Sequence, residues 1–494
     1  MNKTTENTLK LAEKLQTNQT TTAKNPFADR LKTIIEVPES KHFLIKMMDV
    51  AFRSKNYKRV ANHVIYLLKT SRNYEALFTP LENILLKIFT VVGKIVPFFS
   101  VSIMLQKIQA TSSDVVFFIN SKKFKKHAQK RKEQNITLNV NLIGEALIGE
   151  DEAQKRILGY LSLLNRKDVN YISIKISTIF SQISSLAHED TVDKLSNRLA
   201  MFYDEILKIE KETGVQKFVN LDMEEYKDLD ITFDVFLYTL SLPEYKNIRA
   251  GIVLQAYIPE MIHYYRRLFT WAQKRVNNGG SSVKVRLVKG ANMEMEMTEA
   301  SIEDWPLATY STKPQTDANY KKILAEMLTK ESARVVHVGV ASHNIFDISF
   351  ALQLVKQNQL EDCVDFEMLE GMANQTVDNL LKEKVHLLLY TPTVKENQYN
   401  AAIAYLVRRL DEGTQPGNFL KEGYNLQVGS EKWDILKVEF LKSISLMKDL
   451  DTAPSRKQDR NNEVPEIMKG FQNIPNTDWT LPQNIVWAQK IKVD

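Results

Sequence analysis

Two hydrophobic periodicities divide the chain near residue 135. From residue 25 to about residue 134, apolar side chains recur at spacings of three and four, as in KHFLIKMMDVAFRS and YKRVANHVIYLLK, which predicts amphipathic helices. Beyond residue 135, short β-rich runs alternate with longer helical patterns. We therefore predict an all-helical N-terminal lobe over residues 25–134, an α/β domain over residues 135–425 and a linker-like C-terminal segment over residues 426–494.

The α/β domain contains eight short hydrophobic runs, each followed by a helical segment. The predicted strands span residues 136–142, 171–177, 217–222, 251–257, 283–290, 334–341, 363–369 and 385–390. Eight βα units in a row predict a (β/α)8 TIM barrel, whose strands are covered on both faces and are therefore almost continuously apolar. The alternative, an open doubly wound sheet, lacks the glycine-rich first turn expected of it, since the sequence contains no GxGxxG motif.

Two stretches before the barrel have their own character. Residues 1–24 are polar and rich in Thr, Asn and Lys, so we expect them to be disordered, and they lack the apolar core of a signal peptide. The run Ile84 to Leu105 is strongly apolar, but two lysines and a proline interrupt it. This pattern favours buried helices over a membrane span.

Composition and charge narrow the function classes. The chain has 494 residues, of which 44% are hydrophobic and 26% charged, with a net charge of +6; this is typical of a globular protein with room for two or three domains. The single cysteine, Cys363, excludes a disulfide framework and a cysteine-ligated metal, and it fits a reducing compartment. A basic run at residues 122–132 is compatible with a solvated helix, with anionic lipid or with nucleic acid.

Polar and charged residues occur at the C-terminal ends of the predicted strands, together with a few small or apolar ones. This is the end of a TIM barrel where active sites lie. They are Lys175, Asp222, Met223, Gln255, Arg286, Lys289, Gly290, Ser342, His343, Asn344 and Tyr390. Each has a structural explanation when taken alone. Their shared position at one end of successive strands predicts a site in the mouth of the barrel.

The segment YLVRRLDEG follows the last predicted strand. As a helix, it places Tyr405, Arg408, Arg409 and Glu412 on one face. Two adjacent guanidinium groups repel each other unless an anion lies between them, and they bind a carboxylate or phosphate through paired, charge-assisted hydrogen bonds. The segment therefore predicts an anion site that closes over the barrel mouth, although an isolated pair of arginines also fits a solvated basic face.

Several motifs at these positions resemble the proline dehydrogenases. They are SIKIS around Lys175, LDMEEY at 221–226, RLVKGA at 286–291, SHN at 342–344 and YLVRRLDE at 405–412. The resemblance is closest to the dehydrogenase half of the bifunctional bacterial proline utilisation A (PutA) enzymes, and it extends to MMDVAFRS in the helical lobe and to the linker-like FQNIPNTDWTLPQNIVWA. It implies a distorted (β/α)8 barrel that holds FAD and oxidises L-proline to 1-pyrroline-5-carboxylate by hydride transfer to flavin N5, with a quinone as electron acceptor.

The resemblance also implies roles for individual residues. Lys175, Arg408 and Arg409 match positions that grip the proline carboxylate. The other proline-binding positions are matched by Asp222, Leu369, Tyr390 and Tyr405. The flavin-contacting positions are matched by Asp222, Met223, Gln255, Arg286, Val288, Lys289, Gly290, Ala291, Ser342, His343 and Glu412. Arg286 matches the arginine beside flavin N5, and with Asp222, Lys175 and Tyr390 it completes the implied catalytic set, which includes no metal.

The chain departs from the family pattern at two places. Asn292 and Met293 replace the aromatic pair that usually follows RLVKGA, and the spacing between Tyr390 and Tyr405 is three residues longer than usual. The DNA-binding N-terminal domain of some members has no counterpart, so DNA is not expected as a partner. The resemblance implies a cytoplasmic enzyme, with peripheral contact with an anionic inner membrane. It also implies a separate or missing pyrroline-5-carboxylate dehydrogenase, because residues 426–494 are too short for a second αβ domain.

Two other functions are compatible with the sequence. One is another flavin-dependent barrel oxidoreductase acting on a different amino acid, over which only Tyr390 and the Arg408–Arg409 pair favour proline. The other is a non-enzymatic nucleic-acid- or membrane-binding regulator that uses the basic run. A visible spectrum separates the last class, since a binding module is colourless.

Overall fold

A closed barrel of eight parallel strands forms the centre of the structure, a computed structural model that describes residues 3–17, 33, 37–52, 54–112, 115–143, 149–395, 402–403, 405–406, 409, 418–423, 426–463 and 473–493. The strands are β1 (Phe117–Phe118), β2 (Ile136–Leu142), β3 (Tyr171–Ile174), β4 (Phe218–Leu221), β5 (Ala250–Gln255), β6 (Val283–Val288), β7 (Val336–Ala341), β8 (Val364–Leu369) and β9 (His386–Val394). Each strand from β2 to β8 pairs with the next, and β9 pairs with both β8 and β2. The short β1 pairs with the end of β9 outside this ring.

The predicted (β/α)8 barrel is confirmed, with all eight predicted strands. The first has the predicted bounds, 136–142. The strand predicted over 171–177 ends at Ile174, because a single helical turn, Ile176–Ile179, begins directly after Lys175. The last strand runs four residues beyond its predicted end, to Val394. The two-residue β1 was not predicted, since two residues are too few to show a periodicity.

Helices surround the barrel and form the N-terminal lobe. The longer ones are α1 (Lys3–Thr17), α2 (Pro38–Ile45), α3 (Tyr57–Thr70), α4 (Pro80–Ile95), α5 (Pro97–Ser112), α6 (Lys122–Glu133), α7 (Glu150–Leu164), α8 (His188–Thr213), α9 (Leu229–Ser241), α10 (Met261–Asn277), α11 (Met293–Glu303), α12 (Lys313–Met327), α13 (Ile345–Asn358), α14 (Asn374–Lys382), α15 (Glu431–Leu446) and α16 (Pro482–Val493). The described residues also include a π-helix, Lys46–Ala51, and several single turns, such as Ile176–Ile179, Lys330–Ala333 and Phe419–Glu422. At α4, Thr79 and Glu82 each bond the other's backbone N–H, a reciprocal cap that fixes where the helix starts.

The predicted disorder of residues 1–24 is wrong for residues 3–17, which form α1. This helix packs on α13, with Leu9, Ala12 and Leu15 buried in the barrel's outer core. The side chain of Gln16 donates to the Leu426 carbonyl oxygen at 2.8 Å. The spacing of three between these apolar residues was masked by the polar composition around them.

The prediction of buried helices over Ile84 to Leu105 is wrong for the outer faces of α4 and α5. Leu86 and Phe89 pack into the lobe, but Ile84, Ile88 and Ile95 are 56%, 50% and 73% exposed. The rest of the exposed set comprises Leu81, Leu85, Val91, Val92, Val96, Phe98, Phe99 and Ile103. Within the described residues, no helix is both long and apolar enough to cross a membrane.

The C-terminal stretch predicted as linker-like begins with a helix that belongs to the barrel. Trp433, Leu436 and Phe440 of α15 are buried in the barrel core, and the Phe346 ring lies 4.8 Å from Trp433 and 5.7 Å from Phe440. The packed barrel therefore extends past the predicted boundary at residue 425. The apolar positions of α15 supply this packing.

The barrel interior contains charged side chains. Lys284 on β6 reaches across β7 to Asp365 and Glu367 on β8, with both N–O distances 2.6 Å. The strand between them carries Gly339, where a Cβ would collide with the Glu367 carboxylate. Because residue 339 has no side chain, charged side chains of β6 and β8 can form ion pairs across β7 inside the barrel.

Replacing Gly339 with Ala should destabilise the protein by about 1–3 kcal/mol, because the new methyl group has to displace a buried carboxylate. Urea unfolding followed by circular dichroism measures the change. Gly149→Ala is the matched control, since a Cβ there meets no atom within 4 Å. Equal stabilities of the two variants would contradict the proposed packing.

Candidate active site

Arg286, near the end of β6, is a buried charge in the barrel mouth. Its side chain is 6% exposed. Nε donates to Glu367, while Nη1 donates to Asp222 Oδ1 at 2.9 Å and to Ser173 Oγ at 3.4 Å. Burial lowers the pKa of Arg286, but the carboxylates of Glu367 and Asp222 outweigh burial and raise it. The guanidinium therefore stays charged without contact with bulk water.

Asp222 links this arginine to Tyr390. Its Oδ1 also accepts from Ser173 Oγ and Asn220 Nδ2, both at 2.9 Å, and its Oδ2 accepts from the Tyr390 hydroxyl at 3.0 Å. Burial and the Asp222 charge raise the pKa of Tyr390 well above 10. The ring lies 5.5 Å from Arg286 Cζ. The Tyr390 phenol therefore stays protonated, and its ring lines the mouth in a fixed position.

Glu367, Ser173 and Asn220 are functional partners that were missed from the sequence. Each lies inside a strand, where the hydrophobic neighbours dominated the pattern. For Glu367 the sequence did contain a clue: β6 and β8 each carry two charges spaced by two residues. Residues spaced by two point to the same side of a strand. Lys284 and Arg286 thereby face Asp365 and Glu367.

Lys175 follows β3 directly and projects toward the loop after β4. Its Nζ donates to Glu224 Oε1 at 3.0 Å, and the Lys175 side chain is 35% exposed. Burial lowers the pKa of Lys175, but the charges of Glu224 and Asp222 raise it by more than burial lowers it, so the net shift of the pKa is upward. Glu224 was missed from the sequence because the acidic residues that follow Asp222 in LDMEEYKD, which are Glu224, Glu225 and Asp228, offered no way to choose between them.

The predicted arginine helix is described in part. Residues 402, 403, 405, 406 and 409 are helical, whereas Arg408 and Glu412 lie outside the described residues. Arg409 Cζ lies 5.2 Å from the centre of the Tyr405 ring. Tyr405 contributes to the raised pKa of Tyr390, and Arg409 to the lowered pKa of His343. Both residues therefore act on the same barrel mouth.

His343, which follows β7, is a neutral imidazole. Burial lowers its pKa to about 4, with the Arg409 charge adding to the effect. Its Nε2 accepts from the Leu369 backbone N–H at 3.3 Å, so the proton of the neutral ring is on Nδ1. Ser342 accepts from the Asn344 N–H, and Asn344 rather than His343 caps α13.

Among the buried polar atoms in this mouth that have no hydrogen-bond partner within the described residues are Gln255 Oε1, Arg286 Nη2 and His343 Nδ1. They are one acceptor, one charged donor and one neutral donor. Buried polar atoms are normally satisfied, so the set points to a missing partner. A heteroaromatic ring whose edge carries both carbonyl oxygens and N–H groups satisfies all three, and the flavin ring is of this kind.

The RLVKGA loop approaches the same place. Gly290 has φ +133°, and a Cβ there would overlap the Tyr257 ring, so only glycine fits. Val288 and Lys289 are half-buried and Ala291 is exposed, while Met223 on the neighbouring loop is 7% exposed. The Lys289 ammonium pairs with Asp317 and with Asp347 Oδ2 at 2.7 Å, which raises its pKa despite burial.

Part of the basic run is structural. His127 Nε2 and Arg131 Nη2 contact the buried Glu370 carboxylate at 3.0 Å and 2.5 Å. Glu370 follows Leu369, so α6 is tied to the strand end that carries the predicted apolar wall. The exposed lysines of the run are Lys122, Lys123, Lys125, Lys126, Lys130 and Lys132.

A comparison with known families now identifies this arrangement. The family model described as proline dehydrogenase matches residues 124–422, more than half of the chain. The chain belongs to the proline dehydrogenase family. Among curated relatives, "Proline dehydrogenase 2" of Bacillus subtilis (strain 168) is 26% identical over 292 residues, which are 58% of this chain and 80% of the relative. "Bifunctional protein PutA" of Klebsiella aerogenes is 26% identical over 317 residues, which are 60% of this chain and 23% of the relative.

Solved structures agree with this family fold. PutA from Corynebacterium freiburgense is similar with a TM-score of 0.68 and 30% identity, over 83% of this chain and 38% of that one. PutA from Bdellovibrio bacteriovorus is similar with a TM-score of 0.76 and 22% identity, over 98% of this chain and 48% of that one. The chain thus spans less than half the length of the bifunctional relatives it matches.

The neutral state of His343 predicts a pH dependence of stability. In an unfolded chain the imidazole pKa is about 6.5, whereas in the folded protein it is about 4. As pH falls, the unfolded state binds the proton first, so the contribution of His343 is present above pH 6.5 and is lost toward pH 4.

The measurement is the free energy of unfolding of wild type and His343→Gln at several pH values. We expect the advantage of the wild type to shrink as the pH is lowered through this window. Wild-type carboxylates also titrate there, but they are common to both proteins and cancel in the difference. A difference that does not change with pH would contradict a buried, neutral ring.

Proposed function

We propose that the chain is an FAD-dependent proline dehydrogenase that oxidises L-proline to 1-pyrroline-5-carboxylate and passes the electrons to a quinone. Membership of the family supports the reaction class. The observation that carries the proposal is the buried Arg286–Asp222–Tyr390 chain at the strand ends, with unsatisfied polar atoms beside it. Buried charged donors normally have a partner, so Arg286 Nη2 supports a group that binds beside it.

The substrate would be held by its carboxylate. Lys175 follows β3 and Arg409 lies on the helix after β9, and Arg408 would complete the set. A carboxylate bound by more than one cation has little freedom to rotate, which is the positioning that a bond-breaking step requires. Tyr390, Tyr405 and Leu369 supply the apolar walls against which the ring would lie.

The cofactor would occupy the space next to Arg286. When bound, FAD supplies the acceptor for the hydride that leaves proline C5, at flavin N5. Arg286 Nη2, Gln255 Oε1 and His343 Nδ1 would bond its ring edge. Val288 to Ala291 would pack against it, together with Met223, Asp222, Ser342 and Glu412.

The catalytic contribution of the chain would be electrostatic. Arg286 is a permanent cation in a water-poor mouth, where it stabilises negative charge that develops beside it. Asp222 holds this guanidinium and the Tyr390 hydroxyl in place, and Lys175 holds the substrate. Lys289 would act through its backbone, because its ammonium is engaged by Asp317 and Asp347.

The product suggests a second enzyme as partner. Pyrroline-5-carboxylate is in equilibrium with an aldehyde, which a dehydrogenase of the aldehyde class oxidises to a carboxylate. Relatives whose name is "Bifunctional protein PutA" are much longer than this chain. We propose that this step is carried out by a separate chain or by a portion that is joined to this one.

We also propose peripheral contact with an anionic membrane, through the hairpin of α4 and α5. Ile84, Ile88, Val91 and Ile95 share one face of α4 at helical spacing and are 50% to 73% exposed. Lys87 and Lys94 lie beside this face and are exposed. An apolar face flanked by lysines is typical of a helix that lies in a lipid interface, and contiguous apolar patches of this kind mark interaction sites. The exposed lysines of α6 follow directly in the chain.

Anaerobic addition of L-proline should bleach the visible flavin absorption of the purified holoenzyme. Arg409→Met removes a charge-assisted contact of about 1.5–3 kcal/mol, so that the apparent affinity for proline should fall roughly 10- to 150-fold while flavin content is retained. Retained affinity with lost flavin would assign Arg409 to the cofactor. Flavin that does not respond to proline in the wild type would refute the proposed reaction.

Vesicle flotation tests the hairpin. Wild type should float with vesicles that contain phosphatidylglycerol and not with pure phosphatidylcholine, and Ile88→Ser/Ile95→Ser should reduce binding by at least about tenfold. The matched control is Ile435→Ser/Val438→Ser, which removes two residues of similar exposure from α15. Equal loss in both variants, or self-association through the hairpin without lipid binding, would contradict a lipid surface.

A further inference from the structure

We propose that Glu224 is a positioning residue for Lys175: it holds the lysine when no substrate is bound and makes the site select zwitterions over simple carboxylates. The inference rests on the proposed function, since it concerns the cation that would bind the proline carboxylate. It adds a residue to the site and a reason for substrate choice.

The first support is the geometry of the pair. Lys175 and Glu224 follow neighbouring parallel strands, β3 and β4, and meet with an N–O distance of 3.0 Å. The Glu224 side chain is 15% exposed, so water competes with this contact only in part. The contact therefore holds the lysine ammonium beside Glu224.

The second support is that Glu224 is fixed and incompletely used. Gln255 Nε2 donates to the Glu224 carbonyl oxygen at 3.0 Å, which anchors the backbone. The second carboxylate oxygen, Oε2, is buried and has no hydrogen-bond partner in the described part of the chain. One carboxylate oxygen therefore binds Lys175, and the other can accept a hydrogen bond from a substrate bound beside it.

The third support is how the charges of this loop are distributed. Asp222 is bound by Arg286, and Glu225 pairs with Lys227 at 2.6 Å. Burial, and then the Glu224 charge, raise the pKa of Asp228 to about 7. Glu224 is therefore the loop carboxylate that neutralises the substrate-binding lysine.

The consequence is a charge filter. A bound carboxylate must share Lys175 with Glu224, and the two anions repel each other. An amino acid brings its own ammonium group, which offsets this repulsion, whereas a ring carboxylate without an amine does not. Glu224 thus weakens binding of anions more than binding of zwitterions.

The test compares proline, tetrahydrofuran-2-carboxylate and pyrrolidine on the holoenzyme, by steady-state kinetics and calorimetric titration. In Glu224→Gln, affinity for tetrahydrofuran-2-carboxylate should rise about three- to tenfold. The KM for proline should fall less, kcat should change less than about twofold, and pyrrolidine should not gain affinity. Because Lys175 loses a neighbour that raises its pKa, carboxylate affinity should also be lost at a lower pH than in wild type.

Three further variants make the test decisive. Glu225→Gln, the matched control, should leave all three ligands unaffected. Glu224→Asp, which keeps the charge but is one methylene shorter, should give an intermediate gain and guards against misfolding of the first variant. In a Lys175→Met background, Glu224→Gln should raise carboxylate affinity less than it does in wild type, because only the direct repulsion between the two anions is then removed.

Unchanged or weaker carboxylate binding in Glu224→Gln, an effect that is undiminished without Lys175, or a kcat loss above about tenfold would each overturn the inference. The last result would place Glu224 in contact with the reacting atoms. Failure of the wild type itself to bind tetrahydrofuran-2-carboxylate or to oxidise proline would instead refute the proposed function.

Discussion

A guanidinium charge buried inside a barrel has to be balanced within a few ångströms, and Arg286 imposes this constraint on the whole mouth. Glu367 and Asp222 balance it from β8 and from the end of β4. Removing one partner of such a buried pair typically costs about 3–5 kcal/mol, because a bare charge is left behind. The pairing in turn requires Gly339 between the two strands, and it fixes Asp222, which orients Tyr390. One buried charge thus determines the positions of residues on four strands.

Two groups of residues in this mouth differ in the charge they present. Lys175 and Arg409 are cationic and partly exposed, which suits a ligand that arrives with a carboxylate. Gln255 and His343 are neutral and each has a buried hydrogen-bonding atom left unsatisfied. His343 owes its neutrality to burial and to Arg409, so the two groups are coupled through a single electrostatic interaction.

The sequence was informative where the physics is local or periodic. Continuous apolar runs predicted the eight strands, and the rule that barrel chemistry lies at the carboxyl ends of strands predicted Asp222, Arg286 and Tyr390, which the structure brings into one hydrogen-bonded chain. Cross-strand pairs such as Arg286–Glu367 and Lys175–Glu224 were not predictable, because they depend on register between strands that are 81 and 49 residues apart. Helix α1 and the outer faces of α4 and α5 were misjudged because composition and mean hydropathy do not report which face of a helix is covered.

The central claim is that this mouth removes hydrogen from C5 of proline. The most direct measurement is the rate of a single anaerobic turnover with proline deuterated at C5, compared with unlabelled proline and with proline deuterated at C2. Pyrroline formation is followed with an aminobenzaldehyde trap. The account predicts that deuterium at C5 slows the turnover and that deuterium at C2 does not. Slowing by the C2 label alone, or no product from either substrate, would contradict it.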